Sequence, residues 1–221
     1  AGIHMHRLLR YDVNVVNAIV SIARARNISD LVLGMHQMEG TPTLALPDVL
    51  GGGTAPLGKT IPAVLESSNI TTFVYSSRQP LSTVRRHLVF VPRKAELEAG
   101  FRTWLLRIRH LAHDAAGAKL IFHATAATVE HLRRHRRRRG ADIASYVTHD
   151  ESWSWDELPA ALREVRPDDC VWVVMSRRDR ISYQAAMSRV PGYLEELLPH
   201  NNYVMLFPVQ AGGEEEKMYL A

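Results

Sequence analysis

Cysteine is almost missing from this 221-residue chain, and so is any long apolar run. The one cysteine, Cys170, rules out an internal disulfide framework and fits a reducing compartment. It lies in the apolar run 170–175, where a thiol is expected to be buried and unreactive. No apolar stretch approaches the roughly 20 residues that cross a bilayer. Residues 1–10 carry His and Arg where a secretory signal needs an apolar centre. There is no Gly-x-Ser-x-Gly elbow, which sets aside the hydrolase nucleophile built on it. The 11 histidines are scattered, with His110 and His113 on one helical stretch and His131 and His135 on another. No Cys/His set has metal-ligand spacing with carboxylates of its own, so no metal site is expected. No acid–base pair stands out, and no catalytic residue is assigned.

What is present is ordinary globular composition, 46% apolar and 23% charged, enough for one large domain or two small ones. Residues 3–10 read as an imperfect strand. Asp12 and Asn14 are placed to cap a helix whose apolar positions Val15, Val16, Ile19, Val20 and Ile22 keep helical spacing, with Asn27 closing it. A short strand, 31–33, follows. After a long loop come a helix over 61–68 and a strand over 71–75. Residues 76–86 are polar, hold Pro80, and read as a linker. Beyond it, strands at 87–91, 119–124, 142–147, 170–175 and 202–207 alternate with helices at 97–116, 125–139, 155–165 and 183–198. Alternation of this kind, with uninterrupted apolar strands, predicts an α/β fold: doubly wound parallel sheets with helices on both faces.

The loop 35–57 holds Pro42, Pro47, Pro56 and the triplet Gly51-Gly52-Gly53, and runs into Gly58-Lys59-Thr60. Residues 53–60 satisfy G-x-x-x-x-G-K-[ST], in which backbone N–H groups wrap phosphates, the Lys reaches the terminal ones and the Thr holds magnesium. A strand, a glycine loop and a helix N-terminus form an anion site, because unpaired N–H groups and the helix dipole point outward. Gly34, Gly58, Lys59 and Thr60 are therefore the candidate ligand residues. The context differs from that of an NTPase. Leu44 to Leu50 is interrupted by Pro47 and Asp48, and no apolar strand ends in an Asp suited to magnesium. A binding loop without hydrolysis, a P-loop enzyme and a loop without ligand remain as readings. A second candidate is Arg177 with Arg178, after the strand 170–175, where they would hold an anion at a switch point.

The net charge of +4 comes largely from Arg133 to Arg139, at the end of a predicted helix. Cations are favourable there, and a solvated or partner-facing surface is the ordinary meaning of such a run. Anionic lipid headgroups and nucleic acid phosphates are the other partners it suits. Aromatic residues do not interleave with it, which argues against nucleic acid. Trp153 and Trp155 are expected to pack against the sheet edge, and Glu214 to Glu216 belong to a polar tail, 211–221.

The residues 30–34 (Asp-Leu-Val-Leu-Gly), Gly58-Lys59-Thr60 and Phe73-Val74-Tyr75 resemble the universal stress protein family. That family has a doubly wound fold of the adenine nucleotide alpha hydrolase-like kind, with a glycine loop, G-x-x-G then a spacer then G-[ST], that binds ATP phosphates. The resemblance implies one partial copy, residues 1–80, a linker, 81–86, and a complete second copy, 87–210. Residues 11–17, 57–60 and 80–92 more specifically resemble the cytoplasmic C-terminal region of bacterial cation/proton antiporters with tandem stress-protein domains. This implies a non-catalytic regulatory module on the cytoplasmic side of the inner membrane. Its partner is the membrane part of the same polypeptide, and its ligand is an adenine nucleotide or another anion. Strand 202–207 is implied to pair with the other copy or a second chain. The departures are specific. Gln37 stands where the second motif glycine belongs, and Lys59 displaces the Ser/Thr to Thr60. Pro92-Arg93-Lys94 replaces the Asp that meets adenosine, and Ser176-Arg177-Arg178-Asp179 has no glycine. The second copy is therefore expected not to bind ATP in the family's manner. A stand-alone nucleotide-binding stress protein is the alternative.

Overall fold

A computed structural model describes residues 5–35, 60–114, 118–135 and 144–210. The strands are β1 (Asp30–Gly34), β2 (Thr71–Ser76), β3 (Arg86–Phe90), β4 (Lys119–Thr125), β5 (Ala144–His149), β6 (Asp169–Val174) and β7 (Asn202–Phe207). They form one seven-stranded sheet in the order β1-β2-β7-β6-β3-β4-β5. Every pairing is parallel except β2 with β7, which is antiparallel and centred near Val74 opposite Met205. The expected parallel sheets are thus one mixed sheet with a single reversal.

The helices are α1 (Val15–Ala25), α2 (Thr60–Ser67), α3 (Phe101–Asp114), α4 (Ala126–Arg134), α5 (Leu158–Leu162) and α6 (Val190–Leu197). Asn14 caps α1 by accepting from the Asn17 N–H, and Asp12 accepts from Asn14 in turn. Asn27, with φ of 50°, ends that turn in the left-handed region that Asn tolerates. Two predicted helices are shorter than their apolar spacing suggests. The 155–165 segment opens as a 3-10 turn, Trp155–Glu157, under a Ser154/Glu157 capping box before α5. The 183–198 segment likewise begins as 3-10, Ala185–Arg189, and becomes α-helical where Pro191 fixes the first turn of α6. Helix α3 starts at Phe101, later than expected, and Gly100 before it passes close to Pro208 and Val209. A Cβ there would sit 2.8 Å from Pro208 Cβ.

One expectation fails. Residues 5–10 are not a strand; they are exposed and pair with nothing in the sheet, so among the described residues the first segment supplies two strands and not three. Alternation there was imperfect, and a strand without a partner to share its hydrogen bonds gains little.

The core lies on both faces of the sheet. One face joins Leu88, Phe90, Val171, Val173 and Met205 to Leu65, Trp155, Leu158 and Leu194 of the helical layer. The other joins Val89, Phe122, Trp172 and Leu206 to Trp104, Leu105, Ile108 and Leu132. Each fully buried side chain of this kind contributes about 1.5–3 kcal/mol. Cys170 sits in the second layer, fully buried, and desolvation pushes its thiol up to about 12, so it stays protonated as expected.

The seam strand β7 has neighbours on both sides, so the pairing expected of it occurs within the chain. Among the described residues the edge strands of the sheet are β1 and β5. Within the segment 76–86, read as a linker, Arg78 and Gln79 are held to β7 by one side chain. The Asn202 Oδ1 accepts from the Arg78 and Gln79 N–H groups at 2.7 and 3.0 Å, and its Nδ2 donates to the Gln79 carbonyl at 2.8 Å. Asn202 is fully buried, so Asn202→Ala strands three backbone groups. An expected loss of about 2–3 kcal/mol follows, with fast amide exchange at Arg78 and Gln79 as its signature.

Candidate functional site

The glycine-loop site is described in part. Gly34 ends β1 and is exposed, and the next residue, Met35, donates its N–H to the Tyr75 carbonyl at 2.9 Å. A Cβ on Gly34 would meet nothing within 4 Å, so no crowding requires glycine there. Thr60 opens α2 and is exposed. Gly58 and Lys59 lie outside the described residues, as do Gln37, the Gly51–Gly53 triplet, most of the arginine run (136–139) and the acidic tail.

The switch point of the sheet lies between β3, which leads outward to β4, and β6, which leads the other way to β7. In doubly wound sheets a ligand sits in the crevice outside the carboxyl ends of those strands. Among the described residues the chain fills it beside the β6 exit. The Glu98 carboxylate accepts from the Ser182 hydroxyl at 2.8 Å and the Ser182 N–H at 3.1 Å. Only about 10 Å³ is left between them and Trp104, Met175 and Ser176.

A cavity of about 600 Å³ opens instead on the other flank of the β6 exit. Pro62, Leu65 and Glu66 of α2, with Asn69 after it, form one wall. The run 176–180 and Phe207 with Gln210 form the other. Arg177 reaches across to the C-terminal end of α2. Its Nη1 donates to the Leu65 carbonyl, and to the Ser68 carbonyl at 2.5 Å. These carbonyls are the orphan acceptors of a helix end, and a cation suits the negative pole there. The rest of the guanidinium, Nε and Nη2, is buried and makes no hydrogen bond among the described residues. Burial, then the neighbouring Arg180, lower the Arg177 pKa to about 10. Arg178 is exposed and lines the same cavity with Arg180. Of the two arginines picked from sequence, both therefore reach this cavity, one of them engaged in capping α2. Arg180, Glu66 and Asn69 were missed. The dense Arg-Arg-Asp-Arg run after a buried strand was a readable signal for Arg180, but nothing in sequence brings α2 to its side.

A third cluster was not foreseen. His123 on β4 and His149 on β5 face each other, Nδ1 to Nε2 at 3.3 Å, with Phe90 stacked on His123 and Trp153 on His149. The ring centroids are 5.5 Å apart and the ring planes 26° from parallel, so the two imidazoles are stacked with an offset. Burial first, then His149 and Arg86, lower the His123 pKa to about 4. Burial also lowers His149, against the opposing pull of Glu157 and Asp150. Both rings are neutral at pH 7, one donating to the other. Among the described residues, no group of three or more His, Cys, Asp or Glu converges on a metal position. Trp153 packs as expected near the edge strand β5, whereas Trp155 is fully buried in the core.

The chain matches no known family model and no curated protein. Among the described residues no helix is long and apolar enough to cross a membrane.

Proposed function

We propose that this chain is a non-catalytic regulatory module, the cytoplasmic part of a Na+/H+ (cation/proton) antiporter, built from one partial and one complete stress-protein-like copy. In this reading β1, α2 and β2 are the end of the first copy, and β3 to β7 are the second. The observation that carries it is the antiparallel β2–β7 seam within an otherwise parallel sheet. In this reading the two paired strands are the last of each copy, which is the pairing that the resemblance implies. The filled crevice beside Glu98 and Ser182 supports the expectation that the second copy does not take ATP at its switch point. An anionic ligand, adenine nucleotide or another, biases the attached transporter by binding one of two states more tightly.

The reading frame upstream of residue 1 is expected to encode a multi-spanning membrane region. Removing this module is expected to alter the ligand or pH dependence of antiport in vesicles while transport itself persists. A frame without such a region overturns the assignment. Adenine nucleotide retained through purification of the isolated chain would instead favour a stand-alone stress protein, and magnesium-dependent turnover abolished by Lys59→Ala would make the chain a P-loop enzyme.

A further inference from the structure

The cavity between α2 and the β6 exit has the chemistry of a specific ligand site, and we propose that it binds an organic anion: a phosphate or carboxylate carried on an apolar, ring-sized body. The inference names a ligand class and a place for the sensing described above. It rests on that reading only for what binding does to a transporter.

Three features point to this class. The first is electrostatic. Arg177, Arg178 and Arg180 share the cavity with Glu66 on the opposite wall and Asp179 on their own, so the balance of formal charge is positive. Among the described residues the Arg178 and Arg180 guanidiniums make no hydrogen bond or ion pair, which leaves both available to an incoming anion. The second is the state of Arg177. One nitrogen is spent on the Leu65 and Ser68 carbonyls, while Nε and Nη2 are buried without partners. That Nε–Nη2 edge is the fork that pairs with a carboxylate or phosphate through two parallel bonds. Buried donors without partners are costly, so a small turn of the side chain that offers this edge to an anion is repaid by the bonds it gains. The third is size and polarity. About 600 Å³ far exceeds a bare phosphate and falls within the range of small-molecule sites. Pro62, Leu65 and Phe207 supply an apolar wall beside the cations. An inorganic ion would leave that wall unused.

The site also differs from the glycine-loop candidate. It uses the C-terminal end of α2, with Arg177 and the cavity beside it, whereas Gly34 and Thr60 belong to the N-terminal end.

The test is amide-resolved NMR titration of this chain with AMP as the phosphate probe and benzoate as the carboxylate probe. Inorganic phosphate and adenosine serve as the charge-only and body-only controls. Saturable shifts are expected at Asn69, Ser176 to Arg180 and Gln210. AMP or benzoate should bind at least about ten-fold tighter than the control lacking its body or its charge. The double variant Arg178→Ala/Arg180→Ala leaves the Arg177 cap intact and is expected to weaken that binding about ten-fold or more while the remaining spectrum is preserved. Three results overturn the proposal: no shift at these residues with either probe, inorganic phosphate binding as tightly as AMP, or shifts confined to residues around Gly34 and Thr60. The last would also leave the regulatory reading standing with its ligand elsewhere, and the upstream reading frame tests that reading independently.

Discussion

Asp169→Ala is expected to lower the unfolding free energy by about 3–5 kcal/mol, the cost of removing one partner from a buried ion pair. Asp169 is fully buried at the start of β6 and is held from three directions. Arg86 of β3 donates Nε to Oδ1 at 2.7 Å and Nη2 to Oδ2 at 2.5 Å, and the Arg166 N–H donates to Oδ2 at 2.7 Å. The Arg86 side chain is itself only 20% exposed. Truncating Asp169 therefore leaves a largely buried guanidinium without its counter-charge and a backbone donor without an acceptor. Against a domain stability of about 5–15 kcal/mol, that is a large fraction. The pair is not irreplaceable in principle. Arg86→Met/Asp169→Leu is expected to recover much of the loss, because the desolvation penalty disappears together with the attraction. Urea unfolding of the two single variants and the double variant checks this, and additive losses would show that the pair is not coupled.

Acidification from pH 7 to pH 5 is expected to destabilise the fold steeply, through histidines kept neutral by burial. His87 is 1% exposed, its Nδ1 accepts from the Trp172 Nε1–H at 3.1 Å, and burial lowers its pKa to about 4. His123 is lowered to about 4 as well. In the unfolded chain both titrate near the ordinary value of 6.5. Below that value the unfolded state binds more protons than the folded one, so stability rises with pH across this window. The contribution is complete above about pH 6.5 and is lost progressively as the pH falls toward 4. At about 1.4 kcal/mol per unit, His87 alone accounts for roughly 3 kcal/mol at the acid end of that window. His87→Gln keeps an acceptor for Trp172 and is expected to flatten the dependence of the urea midpoint on pH. A midpoint unchanged between pH 7 and pH 5 in the parent chain would contradict the account.

The strands were legible because their residues allow little else. The run Cys170 to Met175 is apolar at every position and became β6, buried on both faces. Asn14 and Asp12 announced the start of α1 by their side-chain chemistry alone. Helix ends were harder to read where proline intervenes, since Pro159 and Pro191 reset the first turn and convert what precedes them to 3-10 geometry. The candidate site was legible only on one side. Arg177 and Arg178 stood out as cations after a buried strand, but Leu65 and Ser68, whose carbonyls Arg177 caps, and Glu66 on the opposite cavity wall lie more than a hundred positions earlier in the chain. Their meeting depends on the β2–β7 register, a long-range pairing that local spacing does not encode. The imidazole pair escaped for the same reason. His123 and His149 come together through the register of β4 on β5, in which His123 lies opposite Val147 and His149 opposite Thr125.

The direction change at the centre of the sheet has a mechanical result. Strands β1 and β2 end on one rim of the slab, while β6 and β7 end on the opposite rim. Helix α2, eight residues and about 12 Å long, runs between the rims like an axle, with Thr60 at one end and the grip of Arg177 near the other. One short helix therefore joins the strand exits of the two rims, and the Arg177 cap is a side-chain contact that fixes its end to the β6 side.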